Sequence, residues 1–254
     1  MGVERERGFT IRSLDDWMRA FQQELDDVYA QGAVALKSTI AYLRSLRFEV
    51  VAYDAARSAF SACLRGWKSR GRKAEDDFPF PREAQDFMMH FMLQKANERH
   101  LVFQFHTGLQ EGNGNIISNS DPSLMSNLFL AYPNVDFDLF HISYPYQGVA
   151  AALCKNFPNV FVDMCWAHII SPAASRSALA DFLDALPYTK ISAFGGDYMF
   201  VDGVWGHLSL ARENVARVLA EKVREGVFTR EKALQIGLAL FHDNPARIFR
   251  LQGV

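Results

Sequence analysis

Three short stretches each end an apolar run with a side chain able to ligate a metal or move a proton: Phe103-Gln104-Phe105-His106-Thr107-Gly108, Phe140-His141-Ile142-Ser143-Tyr144-Pro145 and Phe194-Gly195-Gly196-Asp197. Imidazole is a good ligand for zinc and similar divalent ions, a carboxylate can bind the same ion while accepting a proton, and water on such an ion ionises near about pH 7. A histidine that does not touch the ion can polarise a substrate carbonyl instead. Taken singly, His106 or His141 serves equally well as a core residue hydrogen-bonded to a neighbouring carbonyl. Their repetition at the ends of successive apolar runs, with Asp197 closing the series, is what points to one site. Lys37 is the single charge in the run Ala33 to Ile40. It fits as a cation beside a metal or an anionic substrate, as a lysine modified to a carbamate, or as the partner of an interior carboxylate.

Other polar groups say less. Asp163 and His168 flank the run Val160 to Met164 and are candidates to line a pocket, although Asp163 could equally fix a loop. His90, among Phe87, Met88, Met89, Phe91 and Met92, reads as packing, and His207 and His242 lie near helix ends, where a donor or cation is mildly useful.

The elements that must position these groups alternate. Ser13-Leu14-Asp15-Asp16 opens a helix in which Trp17, Phe21, Leu25, Val28 and Tyr29 recur at helical spacing, with Gly32 at its end. The run Ala33 to Ile40 reads as a strand buried on both faces. Two helices follow, Ala52 to Trp67 and Pro81 to Arg99, separated by the charged turn Lys68 to Asp77 and the Phe78-Pro79-Phe80-Pro81 break. Then come strand Leu101 to His106, helix Pro122 to Ala131, strand Asp138 to Ser143, helix Gln147 to Asn156, strand Val160 to Met164, helix Ala173 to Leu186, strand Lys190 to Phe194 and a long helix within Leu208 to Glu225. Thr229 caps a helix Arg230 to Leu240, and Asn244-Pro245 starts a short final one. Strands alternating with helices argue for a parallel sheet, either a barrel or a doubly wound fold, with chemistry at the strand carboxyl ends. No Gly-x-Gly-x-x-Gly and no phosphate-binding Gly-Lys-Ser/Thr loop appears, which weighs against a nucleotide-binding doubly wound fold.

With 254 residues, 49% hydrophobic and 22% charged, the chain can bury a large core and falls in the range of a single barrel domain. A net charge of −2 with scattered Lys and Arg gives no electrostatic footprint for nucleic acid or anionic membrane, which leaves a small molecule as the expected partner. Cys63, Cys154 and Cys165 are too few and too scattered for a disulfide framework or a Cys-based zinc site, and read as packing residues in a reducing compartment. The first residues lack the apolar core of a signal peptide, and Glu6 stands where a myristoylation signal wants Ser or Thr, so the expected location is cytoplasmic.

In order and spacing, Leu36-Lys37-Ser38-Thr39-Ile40-Ala41-Tyr42, Gln104-Phe105-His106-Thr107-Gly108, His141-Ile142-Ser143-Tyr144-Pro145, Val160-Phe161-Val162-Asp163, Phe194-Gly195-Gly196-Asp197 and Asn244-Pro245-Ala246-Arg247 resemble the amidohydrolase superfamily, in its amidohydrolase-2 branch. The likeness is greatest to the amidohydrolase-like domain that precedes glutamine-synthetase domains in some fungal and plant proteins. The resemblance implies an α/β fold of the TIM-barrel type, a distorted (β/α)8 barrel whose metal is held by a His-x-His from strand 1, a histidine from strand 5 and an aspartate from strand 8. By that order His106 is a metal ligand, His141 orients substrate or metal-activated water, and Asp197 is both metal ligand and general base. Lys37 would lie on strand 4, and Lys37, Tyr144 and His168 are expected to contact substrate. The cofactor implied is a divalent ion, zinc or else manganese, and the activity is hydrolysis of a small amide, ester, lactone or carboxylate compound.

Two departures accompany the likeness. The chain has no His-x-His pair, and Leu43-Arg44 follows Tyr42 where the family usually places Arg directly. Residues 1–254 therefore read as one amidohydrolase-like domain comprising barrel strands 4 to 8, beginning late within a longer enzyme or else truncated and inactive. A partial barrel leaves sheet edges to be covered by another segment or chain, so a homo-oligomer is left open. Two alternatives stand beside the hydrolase: a degenerate barrel that serves as a binding or assembly module, and a decarboxylase or uronate-isomerase-like enzyme.

Overall fold

A computed structural model describes residues 8–70 and 78–251. The sequence-based reading of the first residues, and most of the turn expected from Lys68 to Asp77, lie outside them. The chain separates into two compact units, residues 1–33 with 48–95, and residues 34–47 with 96–254.

The described part of the first unit is helical. Ser13 caps α1 (Leu14–Ala30), its hydroxyl oxygen accepting from the Asp16 N–H at 3.1 Å, and Asp15 and Asp16 place negative charge at the positive end of the helix dipole. The chain leaves this helix through Gly32 at φ +93°, a conformation that costs glycine nothing. Helix α2 (Tyr53–Ser69) and helix α3 (Arg82–Glu98) follow. Leu14, Ala20, Ala56, Phe60, Leu64, Ala84 and Met88 form the buried core, and Phe60 meets Phe78 and Phe80 at ring distances of 5.5 and 5.2 Å. The Met-rich and Phe-rich face of α3 is core, as its spacing suggests.

The second unit holds a parallel sheet of β1 (Ala35–Ser38), β2 (Val102–Phe105), β3 (Phe137–Leu139), β4 (Val160–Asp163) and β5 (Ile191–Ser192), each strand beside its predecessor in the chain. A doubly wound sheet reverses its strand order at a switch point; this one never does, which is the order of a barrel. Between the strands run α4 (Ser126–Ala131), α5 (Gln147–Asn156), α6 (Ala167–Ile170) and α7 (Pro172–Ala185), and after them α8 (Asp202–Arg224), α9 (Arg230–Leu238) and α10 (Asn244–Ile248). Strands β3, β4 and β5 are buried throughout, as parallel strands covered on both faces should be.

Several expected bounds are corrected. The first strand is not buried on both faces: β1 is half-exposed, because among the described residues β2 is its one partner in the sheet, and Lys37 accordingly reaches solvent. The helix expected over Pro122 to Ala131 is a 3-10 turn, Pro122–Met125, followed by α4. The strand expected to run to Ser143 stops at Leu139, since His141, Ile142 and Ser143 all take left-handed conformations at φ 64°, 51° and 52°. That turn is held from outside itself. The Asp163 carboxylate accepts the His141 N–H at 3.1 Å, the Thr107 hydroxyl donates to the Phe140 carbonyl at 2.8 Å, and the Ser143 hydroxyl is 2.8 Å from Thr107 Oγ1. Left-handed non-glycine residues persist where their surroundings over-determine them. Strand β5 is shorter than expected, its successor Ala193 donating to the Leu240 carbonyl, and α8 begins earlier, at Asp202. The Asn244-Pro245 motif is structural: Asn244 Nδ2 donates to the carbonyls of Tyr188 and Ile191, both at 2.8 Å, and so pins α10 to β5.

Candidate active site

The three candidate ligands lie beyond the ends of strands of the second unit. His106 follows β2 and is 2% exposed; His141 lies in the left-handed turn after β3 and is 0% exposed. Asp197 follows β5, also left-handed at φ 54°, and Lys37 stands on β1.

The hydrogen-bond partners of the two imidazoles fix their tautomers. His106 Nε2 is 3.0 Å from the Leu109 carbonyl oxygen, and His141 Nδ1 is 2.8 Å from the Cys165 carbonyl oxygen. A carbonyl only accepts, so these nitrogens carry the hydrogens, and in neutral rings the opposite nitrogens carry lone pairs. Those two, His106 Nδ1 and His141 Nε2, face each other at 3.3 Å, and Asp197 Oδ2 lies 3.3 Å from His141 Nε2. One ligand atom from each of the three residues falls within 4.8 Å of the others. Three converging lone pairs repel unless a cation, a proton or a metal ion lies among them. Imidazoles anchored by their far nitrogens are also how proteins orient metal ligands, and two histidines with one carboxylate is a known donor set of catalytic zinc. The residues therefore fit a divalent ion, and they offer it three ligands.

The electrostatics agree. Burial, followed by the neighbouring His141, lowers the His106 imidazole to about 4, which keeps its lone pair free. The contact with His141 and the ammonium of Lys37 hold the Asp197 carboxyl well below the usual carboxylate range. Lys37 Nζ is 2.5 Å from Asp197 Oδ1 and 4.2 Å from the centroid of the Phe140 ring. Behind the histidines lie two buried carboxyl groups. Burial raises Asp138 to about 6, against the Gln104 amide that donates to it at 3.0 Å, and burial with the adjacent Asp138 raises Asp163.

A cavity of about 960 Å³ opens onto this cluster, lined by Lys37, His106 and Asp197 and by residues to which the sequence reading gave no role. Of these, Tyr42 meets the His106 ring edge-on at 4.9 Å and accepts the Glu111 N–H on its hydroxyl at 3.0 Å, and Trp166 meets the His141 ring at 5.4 Å. Tyr198, Met199 and Phe200 complete the apolar wall. Their signal in the sequence is slight: aromatic residues directly after Cys165 and after Asp197, with no periodicity to mark them. Two residues expected to contact substrate are placed elsewhere. His168 is fully buried, bonded through Nε2 to the Ala193 carbonyl at 3.0 Å and through Nδ1 to Asn214 at 3.2 Å, and so joins α6 to α8. Tyr144 does not line the cavity; its carbonyl accepts from Leu109 N–H at 2.6 Å and packs on Gly108. No helix among the described residues is long and apolar enough to cross a membrane.

Comparison with known proteins gives the fold type and the family. The fold is that of a metal-dependent hydrolase so described from Lactobacillus casei, with a TM-score of 0.79 at 22% identity over 94% of this chain and 61% of that one. A uronate isomerase from Thermotoga maritima superimposes with a TM-score of 0.73 at 17% identity over 97% of this chain and 56% of that one. Both cover most of the α/β unit, which is thus part of a TIM-barrel-type fold. In sequence, protein fluG of Emericella nidulans is 30% identical over 158 residues, which are 62% of this chain and 18% of that protein. The chain thus spans less than two thirds of the length of each of these relatives. The family model described as Amidohydrolase matches residues 69–251, well over half the chain and all of the site but Lys37 and Tyr42. The chain belongs to the amidohydrolase family, in its amidohydrolase-2 branch.

Proposed function

We propose that this chain carries the site of a metal-dependent hydrolase acting on a small amide, ester, lactone or carboxylate compound, and that residues 1–254 serve as one amidohydrolase-like domain. The observation that carries the reading is the convergence of His106 Nδ1, His141 Nε2 and Asp197 Oδ2, with both imidazoles locked from behind by backbone carbonyls. These three residues would hold the ion, zinc by preference for imidazole, with manganese the alternative. When bound, a divalent ion supplies Lewis acidity and lowers the pKa of water.

The remaining work falls to the chain's own side chains. Asp197, its carboxyl held below the usual range, serves better as ligand than as proton carrier, because an effective base has a pKa near the operating pH. The Tyr42 hydroxyl accepts from Glu111 and keeps its own hydrogen to donate into the cavity. Lys37 offers an ammonium to a substrate carboxylate, and Trp166 and Tyr198 line the cavity beside it. That ammonium also favours a second reading on the same site, a decarboxylase or an isomerase of acid sugars, whose substrates all carry the carboxylate. Loading with zinc and assaying simple lactones and amides against uronates tests the proposal. Turnover of the first group alone supports hydrolysis, turnover of uronates alone supports the second reading, and turnover of neither by a zinc-loaded chain contradicts both.

A further inference from the structure

We infer that His207 is a positioning residue: it pairs with the Tyr198 hydroxyl behind the cavity wall and so fixes the loop that presents Asp197, a role whose last step rests on the metal reading above. His207 is 3% exposed, and both of its ring nitrogens are buried without a hydrogen-bond partner. Tyr198 lines the cavity, yet its hydroxyl is buried and unpaired as well. A neutral imidazole and a phenol each offer a donor and an acceptor, and leaving them unpaired in the interior is costly. The choice of partner is narrow. Three rings lie against His207 among the described residues: Phe194 at 5.0 Å, Tyr198 at 5.7 Å and His168 at 5.9 Å between centroids. Phe194 has no polar side-chain atom, and His168 has committed both nitrogens, one to the Ala193 carbonyl and one to Asn214. The Tyr198 hydroxyl remains, reached directly by a rotation of either ring or through one bridging water. Because the unpaired atoms are all buried within the second unit, they are out of reach of any chain that docks on its surface.

The pair bears on the site because Tyr198 directly follows Asp197. Asp197 is left-handed at φ 54°, a conformation that persists where its surroundings enforce it. The Tyr198 ring packs on two glycines: a Cβ on Gly196 would come to 3.3 Å from its Cζ, and one on Gly203 to 3.2 Å from its Cε2. Gly203 and His207 are four residues apart on α8 and share one face of it. Ring and hydroxyl together thus tie the loop 195–198 to the first turns of α8, and His207 acts on a metal ligand that it does not touch.

The test uses the full chain with Tyr198→Phe, which removes only the hydroxyl, His207→Leu and the two combined. In the metal-free protein labelled with 15N-histidine, the ring nitrogens of His207 are assigned by their loss in His207→Leu, and in Tyr198→Phe the nitrogen that bonds the hydroxyl should move toward the frequency of an unbonded imidazole nitrogen. Zinc affinity, measured by competition with a chromophoric chelator, should fall about tenfold in each single variant, the lower end of the roughly 10- to 100-fold typical of losing a group that supports a ligand. The double variant should lose about the same tenfold, not the roughly hundredfold product expected of independent residues. His207→Gln, which keeps a donor and an acceptor, should retain more affinity than His207→Leu. Unmoved His207 nitrogens, unchanged zinc affinity in Tyr198→Phe, or losses that multiply in the double variant overturn the inference and leave the metal reading standing. If the unsubstituted chain binds no zinc, the metal reading falls and the role of His207 in placing a ligand falls with it.

Discussion

At single residues, metal binding turns on which atoms carry lone pairs. His106→Ala removes one of the three converging donors, and zinc affinity is expected to fall by more than the roughly 10- to 100-fold typical of losing an outer hydrogen-bond partner; chelator competition measures it, and an unchanged affinity would remove His106 from the site. Asp197→Asn keeps the shape and removes the charge, and the same measurement should again show a loss. These three positions were legible in the sequence because each ends an apolar run with a ligating side chain. His168 has the same local look and a different job, since its partner Asn214 lies far along the chain and nothing near residue 168 announces the bond. Trp166 and Tyr198 were not legible for the converse reason: their place in the cavity is set by left-handed backbone at 166 and 197, which leaves no periodic trace.

At the scale of elements, the least ordinary part is the turn that ends β3. Gly108 has φ +74°, and a Cβ there would collide with the Tyr144 carbonyl oxygen and come within 2.5 Å of the Ser143 carbonyl carbon. Gly108→Ala should therefore cost more than the ~1 to 3 kcal/mol of left-handed strain alone, read from the urea midpoint. Asp163→Ala leaves the buried N–H groups of His141 and Cys165 unpaired, at about 1 to 3 kcal/mol each, and should weaken zinc binding as well, because it frees the backbone that aims His141. A variant with full zinc affinity would show that the turn holds itself. Helix starts at Ser13 and Thr229 were readable because caps are local chemistry, and the Asn244-Pro245 start because proline suits a helix's first turn. The end of β3 was not, because Thr107 and Asp163, which bend it, belong to other strands' ends.

For the whole molecule, a parallel sheet was readable from the alternation of short apolar runs with helices and its barrel order only from the family resemblance, whereas the division into two compact units leaves no shift in composition to read. Acid stability is a property of this scale. His207 is 3% exposed, and burial, followed by the neighbouring His168, lowers it to about 4 from 6.5. Between those values the unfolded chain binds more protons than the folded one, so this residue's contribution is complete above pH 6.5 and is lost as the pH falls to about 4. His207→Leu should flatten the decline in urea midpoint over that window; an unchanged slope would show that other groups set it.

Counting the ion and identifying its ligands decides whether His106, His141 and Asp197 form a metal centre. Metal analysis of the zinc-loaded chain, with X-ray absorption at the zinc edge, should show about one ion per chain bound to two imidazole nitrogens and carboxylate oxygen, and the ion should be lost from His106→Ala and His141→Ala. A chain that takes up no zinc or manganese under loading, or that keeps the same ion and the same absorption spectrum without these histidines, would contradict it.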